Sequence, residues 1–295
     1  VWEGIRNKVS ERTRLYFAEG CKVNNLSEAG FSKAVAAARK AEAAILVMGN
    51  SGETEGENRD RCDLNLPGVQ EDLIKAVVDT GTPVVVVLVN GTAVTMANWI
   101  DHVEAVVEAW YPGEEGGNAV ASILFGECNP VGRLPITFPK LTGQVPLYYN
   151  HLPCVRTLDY VEVRGNQPLF PFGFGLSYTG FSYRHLAISP EKFSGRGRVE
   201  ISVEVENTGP REGEEVVQLY LRDTVSRVAR PVKELKRFEK IHLKPGEKKK
   251  IKFSLAEEDL TFLDENLNPV TEPGLFEVQV GPNSGEGLKA TFRLG

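Results

Sequence analysis

Long apolar runs, cysteine pairs and excess basic charge are all missing from this chain, and each absence removes a class of protein. No apolar stretch approaches the ~18 residues a membrane-crossing helix needs, so neither a membrane span nor a membrane partner is expected. No leader of the signal-peptide kind opens the chain. It starts on Val1 rather than Met, which reads as a fragment or a processed product and leaves the compartment open. The 295 residues hold only 4 cysteines, Cys21, Cys62, Cys128 and Cys154. They are scattered, with no CxxC or Cys/His spacing, so free thiols are expected and no metal site is. Aspartate and glutamate number 40 against 34 lysines and arginines, a net charge of −6. That balance argues against nucleic acid as a partner, which favours a basic stripe. The one basic cluster, Lys248 to Lys250, runs into a strand-like segment and reads as a solvated edge or turn. No GxGxxG follows the first strand and no phosphate loop is visible, which argues against a nucleotide-binding domain. No cofactor is expected. His102, His151, His185 and His242 lack partner spacing.

What is present concentrates in residues 49–68, GNSGETEGENRDRCDLNLPG. Three carboxylates, Glu53, Glu55 and Glu57, follow an apolar run, Ala43 to Met48, with the length of a buried strand. Open α/β sheets place their chemistry on loops at the carboxyl ends of strands. An acidic loop there suits a general acid, a metal ligand set or a solvated surface. Asp60 and Arg61 read as a paired anchor for the loop rather than as substrate ligands.

The length allows one large or two ordinary domains. Residues 1 to 180 alternate α and β. Arg14 to Ala18 is a short candidate strand. Ser27 to Ala43 has helical spacing with Ser27 as a cap. Pro67 sits where the next helix would begin, ahead of Gln70, Leu73, Ile74, Val77 and Val78. Pro83 to Val89 is almost wholly β-branched, as in a parallel strand buried on both faces. Val103 to Trp110 is the next strand. Gly113 to Phe125 reads as a helix with Glu114 and Glu115 near its positive end. The expected architecture is an α/β layered sandwich, a mostly parallel sheet with helices on both faces. From about residue 129 prolines and aromatics multiply and periodicity fades, as in an ordered wrapping connection. Phe170, Phe172, Phe174 and Tyr178 in it read as packing aromatics rather than sugar platforms. The sequence does not place Tyr148 to His151, which would suit a cleft. Residues 181–295 turn all-β. Val199 to Val205 alternates with period two, and Val216–Leu221, Lys236–Leu243, Lys249–Leu255 and Gly274–Gly281 continue the series between turns. This predicts a fibronectin type III-like β-sandwich.

Four blocks resemble the C-terminal part of glycoside hydrolase family 3, the β-glucosidase and β-xylosidase group. They are DRCDLNLPGVQEDLI from Asp60, WYPGEEGGNAVASILFGECNPVGRLPITFP from Trp110, FPFGFGLSYTGF from Phe170 and ARPVKELKRFEKIHLKPGE from Ala229. The resemblance implies a three-part enzyme: an N-terminal (β/α)8 barrel carrying the nucleophilic aspartate, a layered α/β domain and a fibronectin type III-like domain. This chain matches the last two, so alone it is expected to be inactive. The implied reaction is retaining, exo-acting hydrolysis of a terminal β-linked sugar, glucose first, from a β-glucoside or oligosaccharide. Retaining chemistry needs two carboxyl groups about 5 Å apart, one attacking and one donating a proton. The resemblance assigns the acid/base to the acidic loop. Ser51-Gly52-Glu53 is similar to the SGE of fungal members, and Glu53-Thr54-Glu55-Gly56 to the ETEG or ETKG of others, so Glu53 is the first choice. Two extra residues separate this ETEG from Asp60-Arg61. Aligning backwards from that pair points to Glu57, with Glu55 beside it. The competing readings are a non-catalytic carbohydrate-binding or scaffolding fragment and a β-xylosidase.

Overall fold

The computed structural model describes residues 1–153, 167–194 and 197–295. Cys154 lies outside the described residues; Cys21 and Cys62 are free thiols. The chain forms two compact units, Val1–Cys128 with Phe138–Val145, and Asn129–Thr137 with Pro146–Gly295. The pro-rich connection is thus divided between them.

The first unit is built in the order α1 (Trp2–Lys8), α2 (Phe31–Ala38), β1 (Ala44–Gly49), α3 (Gln70–Val78), β2 (Val84–Val89), β3 (Ala105–Glu108) and α4 (Gly116–Leu124). The three strands form one parallel sheet in the order β1-β2-β3. β2 is central because its sequence, VVVVLV, offers apolar side chains to both faces. Val86, Val87 and Leu88 are fully buried. On α3 the helical spacing buries Leu73, Ile74 and Val77, as the periodicity predicts. Helix α1 packs on α4, and α2 on α3.

Several expectations about local structure fail here. Arg14 to Ala18 is not a strand; it has no ladder partner, leaves Phe17 69% exposed, and lines an open groove of about 470 Å³ beside β1. An extended sequence without a neighbour to pair with stays coil. Ser27 caps no helix. Its hydroxyl accepts from the Ala29 amide within a local turn, and α2 starts at Phe31 after Gly30. β3 stops at Glu108, and Trp110 adopts φ of 52°, a left-handed conformation that ends any strand. Helix α4 begins only at Gly116; Glu115 is its N-cap and its carboxylate accepts from Asn118.

Among the described residues the second unit is all-β apart from one short helix. Its elements are β4 (Phe181–Ser189), β5 (Lys192–Phe193), β6 (Arg198–Asn207), β7 (Gly213–Asp223), β8 (Glu234–Leu243), β9 (Lys248–Ala256), α5 (Glu257–Leu260), β10 (Phe262–Leu263), β11 (Pro269–Val270), β12 (Gly274–Gly281) and β13 (Leu288–Leu294). A sheet ordered β5-β13-β12-β7-β8 and a sheet ordered β4-β6-β9 supply the core, and β10 pairs with β11. On β6 the period-two pattern is realised: Val199, Ile201, Val203 and Val205 are fully buried, and their neighbours are not. β4 and β13 escaped the sequence reading. β4 carries a bulge between Arg184 and Ala187, where His185 has φ of 56°, so its alternation breaks midway. The lysine cluster lies on the edge strand β9, where Lys248 pairs with Glu206 and Lys249 with Glu239.

Four aromatics of the connection pack within this unit. Phe170 stacks on Phe174 at 4.8 Å, and Tyr149 on Phe172 at 4.3 Å. The Tyr149 hydroxyl accepts from the Leu235 amide, so this residue is framework. Tyr178 is 40% exposed and lies beneath the Arg211 guanidinium.

Candidate active site

The carboxyl ends of β1, β2 and β3 each lead into a loop: residues 50–61, 90–92 and 109–111. The acidic loop leaves β1 through Gly49, at φ of 144°. A side chain there would run into the backbone of Val89, so only glycine lets β1 lie this close to β2 as it turns away. A tight turn follows, in which the amides of Thr54 and Glu55 both donate to the Ser51 carbonyl at 2.9 Å.

That turn separates the three glutamates. Glu53 and Glu57 are exposed, and Glu55 points inward and is buried. The backbone of Glu53 is held on both sides: its amide donates to Ser51 Oγ at 3.3 Å, and its carbonyl accepts from Arg59 Nη1 at 3.0 Å. Its carboxylate is left to solvent. Glu55 is enclosed by donors from all three loops. Asn50 Nδ2 (2.9 Å) and Thr92 Oγ1 donate to Oε1. The Gly91 amide and Tyr111 Oη, each at 2.6 Å, donate to Oε2. Burial by itself raises the Glu55 carboxyl. The bonds from Thr92, Tyr111 and Gly91, with the Arg61 charge, outweigh burial and hold it below the usual carboxylate range. Burial, together with the same carboxylate, pushes the Tyr111 phenol up to about 12. Glycine is needed at residue 91 because a side chain would meet the Tyr111 ring and Glu55 Oε2.

Arg61 anchors the loop as expected, although its partner is not Asp60. Its Nη1 donates to Asn50 Oδ1 at 3.2 Å and its Nη2 to the Asn65 carbonyl, and Asp60 is exposed. Buried Asn50 is therefore shared between Arg61 and Glu55. Further along, the Leu64 amide donates to Thr142 Oγ1, and Gln70 binds both the amide and the carbonyl of Gly49.

One carboxyl the sequence reading did not single out stands beside this cluster. Glu108, the last residue of β3, accepts from the Trp110 amide at 3.0 Å. Burial, with a smaller push from Glu55, raises it to about 7 despite bonds from Trp110 and Asn90. Its position as the acid that ends an apolar strand, between Val107 and Ala109, was the available signal. Among the described residues no cluster of His, Cys, Asp and Glu could hold a metal ion, and no helix is long and apolar enough to cross a membrane.

A parallel α/β unit with a carboxylate-bearing loop at its strand ends, followed in sequence by a β-sandwich, defines a class of two-part modules. The comparisons make the class specific. Residues 1–178 match the glycosyl hydrolase family 3 C-terminal domain, and residues 215–284 a fibronectin type III-like domain. The chain belongs to glycoside hydrolase family 3. It is 42% identical over 96% of its length to a protein of Formosa agariphila named beta-xylosidase, covering 40% of that protein. It is 38% identical over its whole length to a periplasmic beta-glucosidase of Salmonella typhimurium, covering 42% of it. The beta-glucosidase of Listeria innocua, solved in complex with glucose, superposes with a TM-score of 0.88 at 34% identity; 93% of this chain covers 39% of that one. The chain thus spans about two fifths of the length of its curated relatives.

Proposed function

We propose that this chain is the C-terminal, proton-donating part of a retaining, exo-acting β-glycosidase, a β-glucosidase, with Glu53 as the general acid/base. The observation that carries the reading is the sorting of the three loop glutamates. Glu55 has no lone pair to spare: its two oxygens accept four hydrogen bonds. Those bonds also stabilise its ionised form, the wrong state for a group that must first give a proton. Glu53 projects from a backbone fixed on both sides, so its carboxyl is positioned yet free to meet a substrate bound elsewhere. Glu57 is the alternate, exposed but four residues farther along the loop.

In this reading the nucleophile and the sugar pocket belong to an N-terminal (β/α)8 barrel of the same enzyme. Glu53 protonates the departing oxygen as the nucleophile attacks. It then takes a proton from the water that releases the sugar. The substrate is a β-glucoside or oligosaccharide. The test uses the full-length enzyme and aryl β-glucosides. Glu53→Ala is expected to lower kcat on a poor leaving group by about 10²- to 10⁴-fold. On a dinitrophenyl glucoside, which needs no acid, azide should restore turnover and yield the glucosyl azide. If Glu57→Ala shows that behaviour and Glu53→Ala does not, the assignment moves to Glu57.

A second reading, β-xylosidase, is favoured by the Formosa relative, the more identical of the two proteins compared above. The ratio of kcat/KM on aryl β-glucoside and aryl β-xyloside decides between them.

A further inference from the structure

We propose that Glu55 is a positioning residue for the acid/base, a single carboxylate that ties together the three loops at the carboxyl edge of the sheet. The inference rests on the reading of Glu53 given above. Each loop contributes a donor: Asn50 follows β1, Gly91 and Thr92 follow β2, and Tyr111 follows β3. No other side chain among the described residues bonds all three. The residue that gathers them lies two positions from Glu53, on the same turn.

An anion is needed at this point, and the chemistry of the donors shows why. The Gly91 amide donates and cannot accept. Tyr111 Oη and Thr92 Oγ1 are able to rotate and accept instead, at the loss of their present bonds. A glutamine in place of Glu55 keeps the size but turns one oxygen into an NH2 group. That group then faces two donors on whichever side it lies. Breaking a charge-assisted bond to a buried group weakens the tie without emptying the space. The Arg61 guanidinium, which shares Asn50 with Glu55, adds a second hold on the same loop.

The consequence is positional. Glu53 sits on a glycine-bracketed loop, between Gly52 and Gly56, whose backbone has wide freedom unless something restrains it. A misplacement of about 1 Å in a catalytic group can lower the rate about 100-fold. Tethering the turn beside Glu53 confines the proton donor at the cost of one buried, fully bonded carboxylate.

The test has two arms. In this 295-residue chain, Glu55→Gln is expected to speed amide hydrogen exchange across residues 50–61 and at Gly91 and Tyr111 by about 10-fold or more. Exchange in the sandwich unit should not change. Tyr111→Phe, which removes one donor and keeps the ring, should give a smaller change of the same pattern. Unchanged loop exchange in Glu55→Gln overturns the proposal, whatever the catalytic result. In the full-length enzyme, Glu55→Gln is expected to lower kcat about 100-fold on a poor leaving group. The loss should be several times smaller on a dinitrophenyl glucoside, with KM little altered. A loss equal on both substrates marks a general structural defect and overturns the positioning role. If Glu53→Ala itself shows no dependence on the leaving group, the acid/base assignment fails; the exchange arm still decides whether Glu55 orders the loop.

Discussion

Two buried carboxylates, one in each unit, are solvated in opposite ways. Glu55 accepts from a side-chain amide, a hydroxyl, a backbone amide and a phenol drawn from three loops, and ends below the usual carboxylate range. Glu215 on β7 faces a formal cation: Arg133 Nη2 lies 2.8 Å away, with both side chains almost fully buried, and Tyr183 donates at 3.0 Å. Yet burial pushes Glu215 up, and Arg133 and Tyr183 only partly offset it. Arg133 Nε is also buried, without a partner among the described residues. One opposite charge therefore does not by itself offset the burial of Glu215. Glu55 sits at the junction of three loops, whereas Glu215 sits within a framework, where such pairs set geometry more than they add stability.

The largest expected effect tests the framework pair. Glu215→Ala strands a buried guanidinium and should destabilise the sandwich unit by about 3–5 kcal/mol. Replacing both partners with leucine should recover most of that loss. Denaturant unfolding of the sandwich, followed by its tyrosines, measures both; a single variant no worse than the double breaks the comparison. Next is Glu108. Its folded pKa, about 7, exceeds the ordinary 4.5, so the folded state binds the extra proton between those values. Stability of the first unit should fall as pH rises through that window. Glu108→Gln should remove the fall, gaining about 3 kcal/mol above pH 7 and nothing below 4.5. Hydrogen exchange of β2 and β3 against pH reads it. Glu55 has the opposite sign. Its depressed pKa contributes stability above the ordinary carboxyl range, lost as pH falls through the folded value. Exchange at Gly91 should therefore accelerate on acidification, and Glu55→Gln should flatten that response. The smallest effect belongs to the exposed Lys249–Glu239 pair, 3.6 Å apart. Lys249→Ala should change stability by less than about 0.5 kcal/mol.

Legibility followed the range of the forces involved. β1, β2, α3 and β6 were readable because burial on one or two faces imposes a period on adjacent residues. Arg14 to Ala18 misled because its composition suits a strand while pairing depends on a neighbour elsewhere in the chain. Trp110 ended β3 early through a backbone conformation that no composition announces. At the site, the loop and its three glutamates were visible. The partner of Arg61 was misread, because Asp60 is adjacent in sequence and Asn50 is adjacent only in space.

By itself the amino-acid order determined β1, β2, α3, β6 and the family, since these rest on local periodicity and on blocks of contiguous residues. Only the tertiary structure decided which loop glutamate is consumed by its neighbours. The donors that hold Glu55 lie at residues 50, 91, 92 and 111. A carboxyl's charge state is set by what surrounds it in space.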